Sequence, residues 1–358
     1  MRRLQGLAVL TAILLGASVA AWAAPSQTLD VWVSMGGTDW DAFERVVADF
    51  ERTHPGVDVT LTPAEGGTTT QDKMVAAVLG GISPDVLVYF DRFNTAQWSF
   101  TGILQRLDPF IASSRVLKPE SFFEATWAES TYNGSVYSIP FETDSRVLFY
   151  NKTLFAEAGL GAPPQSWDEL EAAAQKLTRT GPDGRYSQVG FVPWYSQGSL
   201  YLWGWAAGGE FYDPATGKIT LAHPRNVQAL EWMTEWAQRY GRAALDGFIG
   251  AGNNFPSQKL AMMISGPWEL VPLRATGVDF GIATPPYPSN GRPITWAGGH
   301  ASIIPEGAPH PELAWEFIEY ISVGPGAVRW NQETTHIPAA IEVARHPEIY
   351  GDEQLRPF

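Results

Sequence analysis

Cysteine is absent from the 358 residues. Its absence excludes disulfides, thiolate metal sites and the acylated cysteine that tethers many exported proteins to a membrane. Positive charge is scarce, with 24 Lys and Arg against 38 Asp and Glu. A surface of that sign repels nucleic acid and anionic membrane, so neither is expected as a partner. Beyond the N-terminal leader no run approaches the roughly 20 apolar residues that a bilayer span needs. The chain also lacks a nucleophile elbow, an HExxH motif, a P-loop and a Gly-rich dinucleotide fingerprint. Its six histidines are scattered, and His336 and His346 have no sequence neighbours that suggest a metal. No catalytic residue, metal or cofactor is expected.

What the chain does have begins with the leader MRRLQGLAVLTAILLGASVAAWAAPS. Arg2 and Arg3, an apolar run from Leu7 to about Val19 and the small-x-small triplet Ala21-Trp22-Ala23 read as a secretory signal peptide, residues 1–23. Both arginines go with it, so the remainder carries 22 basic against 38 acidic residues, net −16. A free, exported, monomeric protein is expected, periplasmic and without a lipid anchor.

Strand and helix then alternate. TLDVWVSM reads as a strand, and Thr38 with Asp41 as a capping box for a helix whose apolar face is Phe43, Val46, Val47 and Phe50. SPDVLVYF is the uninterrupted apolar run of a strand covered on both faces. This order predicts an α/β layered unit with binding loops at the carboxyl ends of its strands. Near Asp144 the pattern restarts: VLFY is a strand, NKTLFAEAG a short helix, and Ser166 with Glu169 caps the next helix. FETD lies between the two units as the candidate hinge.

Taken in order, SPDVLVYFDRF, SIPFETDSRVLFYNKTLFAEAGL with PPQSWDEL, KLAMMISGPWEL and PHPELAWEFIEYIS resemble the extracellular solute-binding proteins of ABC sugar importers, the maltose-binding-protein-like family. The resemblance implies a two-lobed periplasmic-binding-protein-like α/β fold of class II type, with a hinge and an interlobe ligand cleft. It places residues 24–141 plus about 296–323 in lobe 1, and 142–295 plus about 324–358 in lobe 2. It also implies a carbohydrate ligand (a mono- or oligosaccharide or a polyol) and, as partners, the transmembrane subunits of an ABC permease. The family usually continues beyond the point where this sequence reaches GDEQLRPF, which is read either as a compact variant or as a truncation.

A sugar has apolar C–H faces and a rim of hydroxyls, so its site needs aromatic platforms and hydrogen-bonding groups. Asp91 and Arg92 follow the strand DVLVYF, where the resemblance gives a DRF triplet that holds sugar hydroxyls. Asp144 takes the family's acidic position in the hinge, and Glu142 lies two residues before it on the same strand face. Trp268, after Gly266-Pro267, matches the family's stacking aromatic. Trp40, Trp194, Tyr201 and Trp296 are further candidate platforms, and Gly299 is expected to let backbone approach a ligand. His300 reads more simply as a structural histidine. The rival readings are a polyamine or another small solute in the same fold, which suits an acidic, tryptophan-rich chain, and a secreted glycoside hydrolase using paired carboxylates.

Overall fold

The computed structural model describes residues 27–65, 68–252 and 254–358. The leader expected at residues 1–23 lies outside them. Separate hydrophobic cores define two lobes, and lobe 1 carries a second cluster around Met74, Leu87, Trp98 and Ile303.

In lobe 1 a five-stranded sheet runs in the order Val57–Pro63, Gln27–Val33, Val86–Asp91, His300–Ile303 and Ile139–Pro140. Its first three strands are parallel; His300–Ile303 runs antiparallel to both neighbours. Val86, Leu87 and Val88 are fully buried, as expected of a central strand with both faces covered. The helix Thr38–Thr53 buries Phe43, Val46 and Phe50 against it. Thr38 is this helix's first residue rather than its cap: Gly37, at φ 62°, takes the cap position and no side chain bonds the free amides. The expected Thr38 capping box is therefore not formed.

Lobe 2 is built on the antiparallel sheet Met262–Ser265, Val147–Asn151 and Phe280–Ala283. Asn151 caps the short helix Lys152–Glu157, and Ser166 caps Trp167–Leu177 by accepting the Glu169 amide. Trp167, Trp203, Trp232 and Trp236 pack against one another in the core. Seven of the 14 tryptophans among the described residues are buried in the two lobes. Half of this abundance is thus core packing, and the abundance by itself is no sign of a binding site.

The lobes are joined by a small sheet in which Glu142–Ser145 is flanked by Ala297–Gly298 and Ile337–Pro338, both antiparallel to it. The third strand of this sheet, Ile337–Pro338, lies between segments that both pack in lobe 1, and this redraws the expected lobe boundary. Residues from 324 onward were assigned to lobe 2, but the helix Pro325–Thr334 buries Ala327 and Trp330 in the lobe 1 core, and Ala340, Val343 and Ile349 follow them there. Only the last stretch returns to lobe 2. Leu355 and Phe358 pack on its core, the Phe358 ring lies 6.1 Å from Phe149, and Asp352 pairs with Arg274 at 2.7 Å.

Gly299 is indispensable to these crossings. It sits at φ 128°, and a Cβ there would lie 2.4 Å from the Glu142 carbonyl oxygen and 2.8 Å from the Thr143 Cα. The expected close backbone approach is made, but to the protein's own hinge strand. Gly299→Ala is predicted to cost about 2 kcal/mol or more of unfolding free energy, since strain at such a position is typically about 1–3 kcal/mol before any clash. Urea denaturation of the two proteins measures it; equal midpoints would refute the assignment.

Candidate functional site

Glu142 is completely buried at the centre of the hinge sheet. Its Oε1 lies 2.6 Å from Nδ1 of His300, and its Oε2 lies 2.8 Å from Nδ1 of His336 and 3.3 Å from the indole nitrogen of Trp330, which donates to it. His336 reaches Asp39 through Nε2 at 3.2 Å. Burial alone would raise the Glu142 pKa, but the His336 charge and the His300 hydrogen bond outweigh it and hold the carboxyl well below the usual range. Burial alone would lower the His336 imidazole, whereas the Glu142 charge and the Asp39 bond push it up to about 10. The His300 imidazole is raised in the same way: burial opposes the shift, while bonds to Asp91 and Glu142 drive it. His336 was read as isolated in the sequence; the fold brings it to Glu142 from 194 positions away.

On the lobe 1 side, Asp91 ends the central strand with its carboxylate partly exposed and 3.5 Å from His300 Nε2. Together with Ser34, Thr70, Asn94 and His300 it lines a cavity of about 80 Å³. Thr70 Oγ1 is buried there with no hydrogen-bond partner among the described residues. Tyr89 opens onto the same cavity and adopts φ 64°, a strained conformation for an aromatic residue, with its ring stacked 3.6 Å from His300. Strain held at the carboxyl end of a central strand, beside an unpartnered hydroxyl, is characteristic of a binding site.

Arg92, expected to face a ligand, is 1 % exposed and is used within the protein. It donates to Glu129 at 2.8 Å, to the Glu142 carbonyl at 2.7 Å and to the Gly298 carbonyl at 2.6 Å. Its role in the structure is to clamp the end of the lobe 1 sheet onto two hinge crossings.

On the lobe 2 side Asp144 is also buried. It accepts the Gly298 amide at 2.7 Å and is ion-paired to Arg146. The Arg146 guanidinium bonds Gln197 at 3.1 Å and lies over two indoles, 3.5 Å from the Trp296 ring centre and 4.8 Å from that of Trp268. Tyr201, half-exposed, meets Trp296 edge-on at 5.2 Å and Trp205 at 5.4 Å. Glycines make room for this packing: a Cβ at Gly266 would lie 2.2 Å from the Trp268 ring, and one at Gly298 would lie 2.9 Å from Trp296. Trp268, Trp296, Tyr201 and Asp144 therefore form one cluster. Arg146, absent from the expected residues, lies at its centre; its position two residues beyond Asp144 on an extended chain was the available signal.

Two expected platforms are not brought to this cluster. Trp194 donates its indole N–H to Asp246 at 2.8 Å and carries Arg242 over its ring at 4.4 Å. Trp40 bonds Glu44 on its own helix and packs on the lobe 1 core. Its neighbour Asp39 is what that helix contributes to the hinge.

A profile of the family described as bacterial extracellular solute-binding protein matches residues 37–322. The chain belongs to this family. Among the relatives of this solute-binding protein, a maltotriose-binding protein of Pyrococcus abyssi is 22% identical over 333 residues, covering 92% of this chain and 70% of the relative. A maltooligosaccharide ABC transporter solute-binding lipoprotein of Streptococcus pneumoniae is 27% identical over 340 residues, covering 91% and 75%. Of solved structures, CpMnBP1 with mannobiose bound superposes with a TM-score of 0.83 at 27% identity, covering 92% and 86% of the two chains. A tagatose-bound ABC transporter solute-binding protein of Thermotoga lettingae gives a TM-score of 0.79 at 25% identity, covering 93% and 86%.

The buried ion cluster makes stability depend on pH. His336 is raised from 6.5 to about 10, so its contribution is complete below pH 6.5 and is lost as pH climbs to about 10. Glu142 is depressed from 4.5, so its contribution is lost as pH falls below that value. Glu142→Gln strands a buried imidazole and is expected to cost about 3–5 kcal/mol at neutral pH. Urea unfolding across pH 5 to 10 should show the wild type weakening above about pH 6.5 and the variant much less so; parallel curves would refute the pairing.

Proposed function

We propose that this protein is the exported receptor of an ABC sugar importer, binding a neutral carbohydrate between its lobes and delivering it to a membrane permease. The observation that carries the reading is the pairing of two surfaces across one hinge crossing. Trp296, Trp268 and Tyr201 gather before Ala297–Gly298, and His300, Asp91 and the Thr70 cavity follow it. Aromatic faces suit the C–H faces of a pyranose, and charged or unpartnered polar groups suit its hydroxyls. Relatives named for maltotriose and maltooligosaccharide, and neighbours holding mannobiose and tagatose, support the same ligand class.

A ligand that touches both lobes stabilises the closed state by its differential affinity, and the crossing strands absorb the rotation. Export through the leader at residues 1–23, a periplasmic location and a monomeric state complete the proposal. Glycoside hydrolysis is disfavoured because the Glu142 and Asp144 carboxylates are buried and engaged by protein partners, which leaves neither as a free acid or nucleophile.

The test is a thermal-shift and calorimetric screen of the chain from Ala24 against neutral mono- and oligosaccharides and polyols. One sugar series should raise the melting temperature saturably, equivalent to about 2.7 kcal/mol at a hundredfold excess over Kd. The ligand should be recovered unchanged, and Trp296→Ala should weaken binding by roughly tenfold. A cooperative melt that no sugar shifts, or turnover of the bound sugar, would overturn the reading.

A further inference from the structure

We propose that Arg146 sets the ligand class of this cleft by occupying the tryptophan pair itself, so that Trp268 and Trp296 form a fixed wall for a neutral sugar and leave no seat for a cationic ligand. This rests on the carbohydrate reading above. An aromatic pair beside carboxylates is the chemistry that captures ammonium ligands, with the cation within about 6 Å of the ring centres. In this protein both distances, 3.5 and 4.8 Å, are met by the chain's own guanidinium.

That guanidinium is anchored on several sides. Arg146 is 4 % exposed, ion-paired to Asp144 and bonded to Gln197. Its backbone is tied to the segment that carries Trp296: Thr295 Oγ1 accepts the Arg146 amide at 3.1 Å and donates to the Arg146 carbonyl at 2.6 Å. The ring of Trp296 and the cation over it are thus held by the same two segments. Asp144, the carboxylate an ammonium ligand would seek, is already neutralised by Arg146 and bonded to the Gly298 amide. Among the described residues no hydrogen bond occupies Arg146 Nη2, which leaves a charged donor available to a sugar hydroxyl. Arg146 acts here as a positioning residue for the two indoles and as the group that excludes cations.

The experiment compares wild type, R146M and R146K by calorimetry with the sugar identified in the screen and with spermidine, and by tryptophan emission without ligand. D144N/R146M serves in place of R146M if the single variant, which leaves Asp144 unpaired, fails to melt cooperatively. Wild type should bind sugar and ignore spermidine. Removing the cation should weaken sugar binding by roughly tenfold, open spermidine binding and change the emission spectrum. R146K, which keeps a cation over the rings, should keep excluding spermidine with emission near that of wild type. Spermidine binding to the wild type, or a folded cation-free variant that binds the sugar like wild type and still ignores spermidine, would overturn the role of Arg146 alone. Failure of the wild type to bind any sugar would overturn the carbohydrate reading first, and with it this inference.

Discussion

The buried Glu142 carboxylate is the constraint around which the hinge is built. A charge taken fully out of water costs several kcal/mol unless partners replace its hydration, and here they come from beside the other two strands of the hinge sheet: His300 follows Ala297–Gly298 and His336 precedes Ile337–Pro338. One carboxylate thereby sets three segments against one another. Asp39 and Trp330 extend the same network into the lobe 1 core, so the hinge sheet is fixed to lobe 1 by charge and hydrogen bonding together. The coupling runs both ways: Glu142 is the carboxylate that both histidines share, and losing either histidine leaves it a single imidazole partner.

Arg92 and Gly299 belong to the same construction. Arg92 spends its donors on two crossing-strand carbonyls, and Gly299 lets those strands approach more closely than any side chain would allow. On the other side of the crossing, Asp144 and Arg146 repeat the principle with a buried ion pair that orders tryptophans in place of histidines. The two networks share one short strand, Glu142–Ser145, and its backbone is what a closing motion must carry. A receptor whose binding groups are fixed to the crossing strands loses little side-chain freedom on binding, and pre-organisation of that kind is a general source of affinity.

Local pattern carried far. The strand DVLVYF, the capped helix after PPQS and the restart of the α/β pattern near Asp144 follow from side-chain alternation, cap chemistry and Gly or Pro stops, all of which act within a few residues. The hinge at FETD was legible in the same way, whereas Trp268 and Asp144 were singled out by the family resemblance, and only the fold shows that they meet Trp296 and Tyr201. The Thr38 box failed because a glycine with positive φ took the cap position. The lobe 2 assignment of the helix Pro325–Thr334 came from the family resemblance, and only its packing with the lobe 1 core decides which lobe it joins.

By itself, the sequence determined two α/β units, the place where the chain passes between them, and a set of aromatic and acidic residues around that place. Tertiary structure decided what each of those residues does. Glu142 and Arg92 turned inward to hold the hinge, Trp194 went to Asp246, His336 became a buried cation, and Arg146 came to lie over both tryptophans. The physical reason is range. Helix and strand signals come from neighbours in the chain, whereas a buried charge is stable only where its partner arrives, and the partners of Glu142 lie 158 and 194 positions away.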